Sequence, residues 1–585
     1  MTWLTTVVLV GVTVLALASG AFAVDATKND QGIEWIHTTD HWGVPFGDAA
    51  TMFYANVEQH RTWLTEQGTP ANKMEFAVGT EISLRKVFRQ KWWFRGQMTG
   101  QVEIAAARGE TEAFQLVVCP IAPMERKLTH LSAEKDHGAG PMQPKTVKVA
   151  SVVATDLKGP KGAAIPATAV EISRVGYIKT VQPQYPVMNI GEWPDPVLPM
   201  APFEVSNPFC QPIWVDVRVP RDAAPGKYTG QIRVEGPHAV TIRVSLTVWP
   251  FALPAKRSYV TMGWSLNAWF LKGGADSFMK KAEVLLDHGL APWHACVKLA
   301  KDLDGHDRVF RWLQERGVKL QAMTTSKPDA KYVEHLRKRG WLKHFICIPG
   351  DEPHERDYAK FRQRAETIRK QFSGLTVAMT EDPQPINEGM FDLWIVEPSV
   401  HREAFVRAAQ RRGDRIWWYM CQLPIHATYP GPIWACPGAV VDRPAVDHRV
   451  PYWLAWKYGI EGVGFWAISH WPKGWETWPD QPWPVNPISK YPYSGQHNAN
   501  GFLCYPYKDR VLPSVRLKVL RDGMDDYEYL LLLKGLVGRK ATARDKQLLA
   551  VPPEVAMGLR YYNRDPDGIL SARREIASRI AALSK

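Results

Sequence analysis

The stretch Ile348-Pro349-Gly350-Asp351-Glu352-Pro353-His354 sets two adjacent carboxylic acids between residues that constrain the backbone. Glycine permits turns that other residues resist, and proline suits the first position of a following helix. Cleaving a glycosidic bond asks for such a pair. One acid protonates the departing oxygen, and a second group stabilises the oxocarbenium-like transition state. Neighbouring carboxylates repel as anions, so one keeps its proton to higher pH, while the positive end of a helix opening near Pro353 favours ionisation of both. In a dry site repulsion and desolvation prevail for one acid; in a wet site both ionise. The same two acids could simply cap and charge the helix that follows. Adjacent strand residues also face opposite ways, so both enter one pocket only if the strand has already ended.

Further acids stand at Glu381-Asp382 and Glu397. The chain has 25 Trp, and the loop after the last strand-like run carries Trp466, His470, Trp471, Trp475, Trp478 and Trp483. Indole faces suit the apolar faces of sugar rings, although core packing accounts for most of these residues. His426 and His470 lack the spacing of metal ligands, and no metal or cofactor is predicted.

Eight strand-like runs could present these residues. They are Tyr259–Leu266, Leu290–Val297, Val318–Thr324, His344–Pro349, Leu375–Thr380, Phe391–Val396, Arg415–Cys421 and Gly462–Ile468, with amphipathic segments such as Tyr358–Phe372 between them. Eight β/α units predict a (β/α)8 barrel over 255–535, whose active site lies at the C-terminal strand ends. The acid pair follows the fourth run. The seventh ends in Cys421-Gln422, with no acid. Upstream, Ile213, Val215, Val217 and Val219 alternate with Trp214, Asp216 and Arg218, and Val240 to Val248 repeat the pattern. Period two with Gly/Pro turns predicts strands with one buried face, in β-sandwich modules over 24–254. The segment 536–585 reads as helical, with Ile569, Ala572, Ile576, Ile580 and Leu583 on one packing face. The fold class is therefore multidomain, β followed by α/β.

Val7 to Ala18 is apolar and runs into Ala21-Phe22-Ala23, the form of a secretory leader (1–23) cleaved after Ala23. An uncleaved anchor from Trp3 is the alternative. The mature protein is predicted to be secreted or periplasmic, with no membrane span. A net charge of +13 is spread over helix-like segments such as Arg356 to Lys370. That is a solvated face rather than a nucleic-acid site, and the predicted partner is an oligo- or polysaccharide. Seven scattered Cys, without CxxC, predict isolated or singly paired thiols, not a zinc site.

Gly350-Asp351-Glu352-Pro353 resembles the catalytic Asp-Glu pair of glycoside hydrolase family 123. Gly191-Glu192-Trp193-Pro194-Asp195-Pro196, Ile213 to Pro220 and Gly226 to Gly230 resemble motifs upstream of the barrel in that family. Tyr452-Trp453 to Trp466, Leu503 to Pro506 and Arg516 to Tyr529 look like the family of unknown function numbered 4091. The resemblance implies a retaining β-N-acetylhexosaminidase, β-N-acetylgalactosaminidase-like. In it Glu352 is the acid/base, and Asp351 orients the 2-acetamido group that attacks the anomeric carbon. The candidate substrate contacts are Trp418, Tyr419, Arg449, Trp453, Trp466, Trp471, Tyr505 and Glu397. Two alternatives stay open: an ordinary retaining glycosidase with Glu397 or Glu381 as nucleophile, and a non-catalytic glycan-binding protein. The segment Asp525-Asp526-Tyr527 is expected to hold the last barrel helix through buried polar contacts.

Overall fold

The computed structural model describes residues 46–70, 73–121, 146–183, 187–421, 436–471 and 498–584. The predicted leader, Gln422, His426, Trp475, Trp478 and Trp483 lie outside the described residues. Two larger sheets dominate the described part of the first half, beside a two-stranded pair of Phe203–Ser206 with Thr146–Val149. One runs Phe76–Ile82, Thr111–Pro120, Gln211–Arg218, Val170–Lys179, Glu192–Pro199, all antiparallel. The other runs Gln101–Arg108, Ala239–Ala252, Gly226–Glu235, Leu157–Lys158, Ala164–Ile165, and Ser151–Ala154 also pairs with Gly226–Glu235. Phe114, Leu116, Ile213, Val215 and Val217 from the first sheet share one buried cluster with Ile232, Val240, Ile242, Val244 and Leu246 from the second.

The alternation in Gln211–Arg218 is expected to bury one face, yet both are buried. Ile213, Val215 and Val217 meet the second sheet, while Trp214 joins the core that includes the helices of the second half. Asp216 is buried on that same side, bonded to Lys518 and Arg521. Trp214 and Asp216 thus face a second protein layer rather than water, while Arg218 at the strand end is exposed.

The second half carries a curled sheet of seven parallel strands, in the order Val260–Gly263, Gly462–Phe465, Arg415–Met420, Leu393–Val396, Thr376–Met379, Phe345–Ile348, Gln321–Thr324. Most are four residues long, and nearly all their residues are buried, as parallel strands covered on both faces require. Their inward side chains, among them Met262, Ala322, Ile346, Ala378, Ile395 and Trp417, form one cluster. The expected strand Leu290–Val297 is reduced to a stub. Gly263 N–H donates to Ala291 O at 2.7 Å and Trp293 N–H donates to Gly263 O at 2.9 Å. Pro292 has no N–H for the other neighbour, and the Gln321 side chain supplies a donor to its carbonyl instead, at 3.1 Å. His294, at φ 62°, then turns the chain into the helical turn Ala295–Lys298.

The helix Val515–Val537 runs between the two halves and is buried over most of its length. The last helix, Pro566–Leu583, buries Ile569, Ala572, Ile576 and Ile580 as the periodicity predicts, and its Arg573 reaches Glu110 in the first half. All seven cysteines are buried and outside any disulfide. No described helix is long and apolar enough to cross a membrane.

Candidate active site

The strand Phe345–Ile348 ends before Pro349, so the alternation that would separate two adjacent acids has already stopped. Glycine freedom is not what makes the turn. A Cβ on Gly350 would run into the Phe361 ring, so this glycine provides room, and the left-handed residue is Glu352, at φ 40°. A non-glycine there is strained, more so before proline, and such strain needs partners to hold it. Two are present. Glu352 N–H donates to Thr380 Oγ1 at 3.0 Å, and Tyr419 O–H donates to the Glu352 carboxylate. Thr380 O–H in turn donates to Asp351 Oδ1 at 2.5 Å. Neither acid caps the following helical segment, which starts at Glu355 after His354. Both acids are exposed.

The next three strand ends round the sheet each add a group. Tyr419 points inward from Arg415–Met420; burial first, then Glu352 and Glu397, push its phenol up, so it stays a donor. Glu397 follows Leu393–Val396, where its Oε2 accepts the Ser399 N–H at 2.8 Å and the Ser399 hydroxyl. Burial raises its carboxyl to about 7, with Glu352 adding to the effect. Burial also raises Glu381 to about 7, again helped by Glu352. Cys421 occupies the end of the seventh expected strand, and burial together with Glu397, Glu352 and Asp351 keeps its thiol protonated.

The same rim also carries Trp264, His294 and Thr324, none of them singled out by the sequence; Thr324 ends the strand that pairs with Phe345–Ile348. Trp264 Nε1–H donates to His294 Nε2 at 3.3 Å, and the Thr324 hydroxyl lies 2.8 Å from the same nitrogen. Burial, then Lys298, lowers His294 to about 4, so the ring is neutral with its proton on Nδ1. The Trp264 ring lies 6.1 Å from that of Tyr419, edge to face. Their common signal is position: each ends or follows a strand at the C-terminal rim, where the acid pair was sought. Ser265, His294 and Glu352, three of the non-glycine residues with positive φ, are all on this rim.

The remaining candidates divide. Trp466 is half-buried beside the interior cluster, donates to Asn500 Oδ1 at 2.8 Å and stands 5.6 Å from the His470 ring. Trp471 is buried against Trp269 and Phe270 and donates to Cys504 O. Trp418 points to the opposite face from Tyr419, onto His401 and Tyr458. Arg449 and Trp453 are fully buried and both bind Asp526, and Tyr505 binds Asp195. The structure brings these last four to the helix packing and to the contact between the halves, not to the acid pair. Among the described residues, His306, Asp307 and His335 have the closeness of a metal set, but their atoms bond to one another, to Tyr332 and to Arg339.

Two family models match this chain. They are the glycoside hydrolase 123 catalytic domain, over residues 329–533, and the glycoside hydrolase 123 N-terminal domain, over 142–236. Together they span just over half of it.

The chain belongs to glycoside hydrolase family 123.

As a family 123 enzyme it hydrolyses O-glycosyl bonds. A solved family 123 glycoside hydrolase from Clostridium perfringens, studied for glycolipid glycan hydrolysis, is similar with TM-score 0.62 at 13% identity, covering 86% of this chain and 98% of its own. That likeness is one of fold. A β-glucuronidase from Parabacteroides merdae (TM-score 0.23, 7% identity, 78% of this chain and 51% of that one) and an endo-β-1,4-mannanase from Thermotoga petrophila (0.28, 11%, 47% and 77%) match more distantly. No curated protein matches in sequence.

Proposed function

We propose that the enzyme is an exported, retaining β-N-acetylhexosaminidase, β-N-acetylgalactosaminidase-like, that uses the substrate's own 2-acetamido group as nucleophile. The observation carrying this reading is that the adjacent acids have separate partners: Tyr419 holds Glu352 and Thr380 holds Asp351. Glu352 protonates the glycosidic oxygen, and its tether to Tyr419 keeps it aimed. Asp351 orients the acetamido group and stabilises the charge that develops on it as its carbonyl oxygen closes on the anomeric carbon. Glu352 then takes a proton from the water that opens the oxazoline, giving net retention. Trp264 and Trp466 supply apolar faces for the sugar. The glycolipid glycan hydrolysis of the Clostridium perfringens relative supports a glycoconjugate substrate. The N-terminal half is read as a β-sandwich and the second half as a (β/α)8 barrel with a vestigial second strand.

In the competing reading Glu397 or Glu381 is a protein nucleophile. Closeness to Glu352 favours it, but a carboxyl protonated up to about 7, with one Glu397 oxygen already bonded to Ser399, is a poor nucleophile. Aryl β-glycosides with and without a 2-acetamido group separate the two. Cleavage confined to acetamido sugars is expected. Equal rates on both would overturn the proposal and make Glu397 the residue to test.

A further inference from the structure

We propose that Thr380 is a positioning residue of this site, holding the Asp351 carboxylate and the backbone turn at Glu352 in one alignment. The inference rests on the acetamido-assisted reading above. Thr380 directly follows the strand Thr376–Met379, next to the strand that delivers the acids, and is 2% exposed. Its hydroxyl has one proton and accepts the Glu352 N–H at 3.0 Å, so that proton is left for Asp351 Oδ1, 2.5 Å away. A backbone N–H can only donate, and the polarity of this relay is therefore fixed. One Asp351 oxygen is anchored to the neighbouring strand, which sets where the carboxylate's other oxygen lies. The same hydroxyl secures the peptide of a residue at φ 40° just before a proline, a conformation with little intrinsic support.

Adjacency alone therefore does not align these acids. Between them stands a side chain from another strand that reads the backbone of one and the carboxylate of the other. Thr380 touches no reacting atom; it acts through Asp351 and the Glu352 turn. Valine has nearly threonine's shape but neither hydrogen bond, whereas serine keeps both.

The test uses the full chain with an aryl β-N-acetylhexosaminide. Thr380→Val is expected to lower kcat roughly 10²-fold, the scale of a ~1 Å misplacement, with KM little changed. Thr380→Ser restores most of the rate. In the Asp351→Asn background Thr380→Val costs much less than in the wild type, because most of its effect passes through Asp351. Three results would each overturn the proposal: full activity in Thr380→Val, failure of Thr380→Ser to rescue, or an undiminished loss in the Asp351→Asn background. A lowered thermal midpoint in both single variants would assign the residue to packing, and that too overturns it. Failure of the acetamido reading shows separately, as equal cleavage of sugars without that group by the wild type.

Discussion

At the scale of single residues, two neighbouring acids with different partners should fail differently. Glu352→Gln keeps its shape but cannot donate a proton, so poor leaving groups are expected to slow by about 10²–10⁴-fold and activated aryl leaving groups much less. Asp351→Asn should slow the first step for every leaving group, and a thiazoline mimic of the intermediate should bind it more weakly. Steady-state rates across a leaving-group series check both; parallel profiles for the two variants would contradict the division of labour. Glu397 gives a second test. Its carboxyl, raised by burial from 4.5 to about 7, favours the protonated form in the folded state. The unfolded chain releases that proton near 4.5, so this group's contribution is complete below that pH and fades as pH climbs toward 7. Glu397→Gln removes the cost: its stability relative to wild type should rise between pH 4.5 and 7 and then level. Urea midpoints over that range measure it. Under the acetamido mechanism the variant stays active, whereas a nucleophile's loss would abolish turnover.

At the scale of elements, the helix Val515–Val537 organises the buried charges. Asp526 accepts from Arg449 Nε at 2.6 Å, Arg449 Nη2 at 2.8 Å and Trp453 Nε1 at 2.8 Å, and it also pairs with Arg573. Removing the carboxylate strands the fully buried Arg449 guanidinium and takes one partner from Arg573, which keeps Glu110; an unpaired buried charge costs far more than the intact pair contributes net. Asp526→Ala should therefore lose about 3–5 kcal/mol, measured by denaturant unfolding, while Asp565→Ala at an exposed helix start should lose about 1 kcal/mol. These contacts also mark the limit of the sequence. The rim acids were legible because strand ends leave a local pattern, and Asp525-Asp526-Tyr527 was legible as structural. Arg449, Trp453 and Tyr505 look like sugar contacts in the sequence because a buried ion pair uses the same residue types, and their partners lie as far as 310 positions away. Leu290–Val297 has a strand's composition, but Pro292 and left-handed His294 interrupt it. Thr380 left no trace, since one threonine at a strand end looks like any other.

At the scale of the whole molecule, the +13 charge says little about the site, whose rim gathers Asp351, Glu352, Glu381 and Glu397. Export is a separate expectation: intact mass of the secreted protein should place Val24 at the N-terminus, and Met1 on a membrane-bound form would contradict it.

The two halves depend on each other. Arg516 is fully buried and binds Asp195 at 2.8 Å; Arg521 binds Asp216 at 3.0 Å, Lys518 shares that carboxylate, and Arg573 pairs with Glu110. Every one of these acids belongs to the first half, and every cation to the last two long helices. Trp193 and Trp214 of the first half are fully buried in the same core as the helices of the second half. A fragment beginning at Ala255 would keep the parallel sheet and the Asp351-Glu352 pair but lose Glu110, Asp195 and Asp216 together. Each uncompensated buried charge costs about 3–5 kcal/mol, and a folded domain has only about 5–15 kcal/mol in hand. The charged helices would have to turn toward water, taking their apolar neighbours with them. The fragment is therefore expected not to fold, showing no cooperative thermal transition by circular dichroism. The full chain should unfold in one step, with tryptophan fluorescence and circular dichroism changing together. A fragment that unfolds cooperatively and cleaves an aryl glycoside would show instead that the first half is an appended module, and that the charges on the helix Val515–Val537 find other partners.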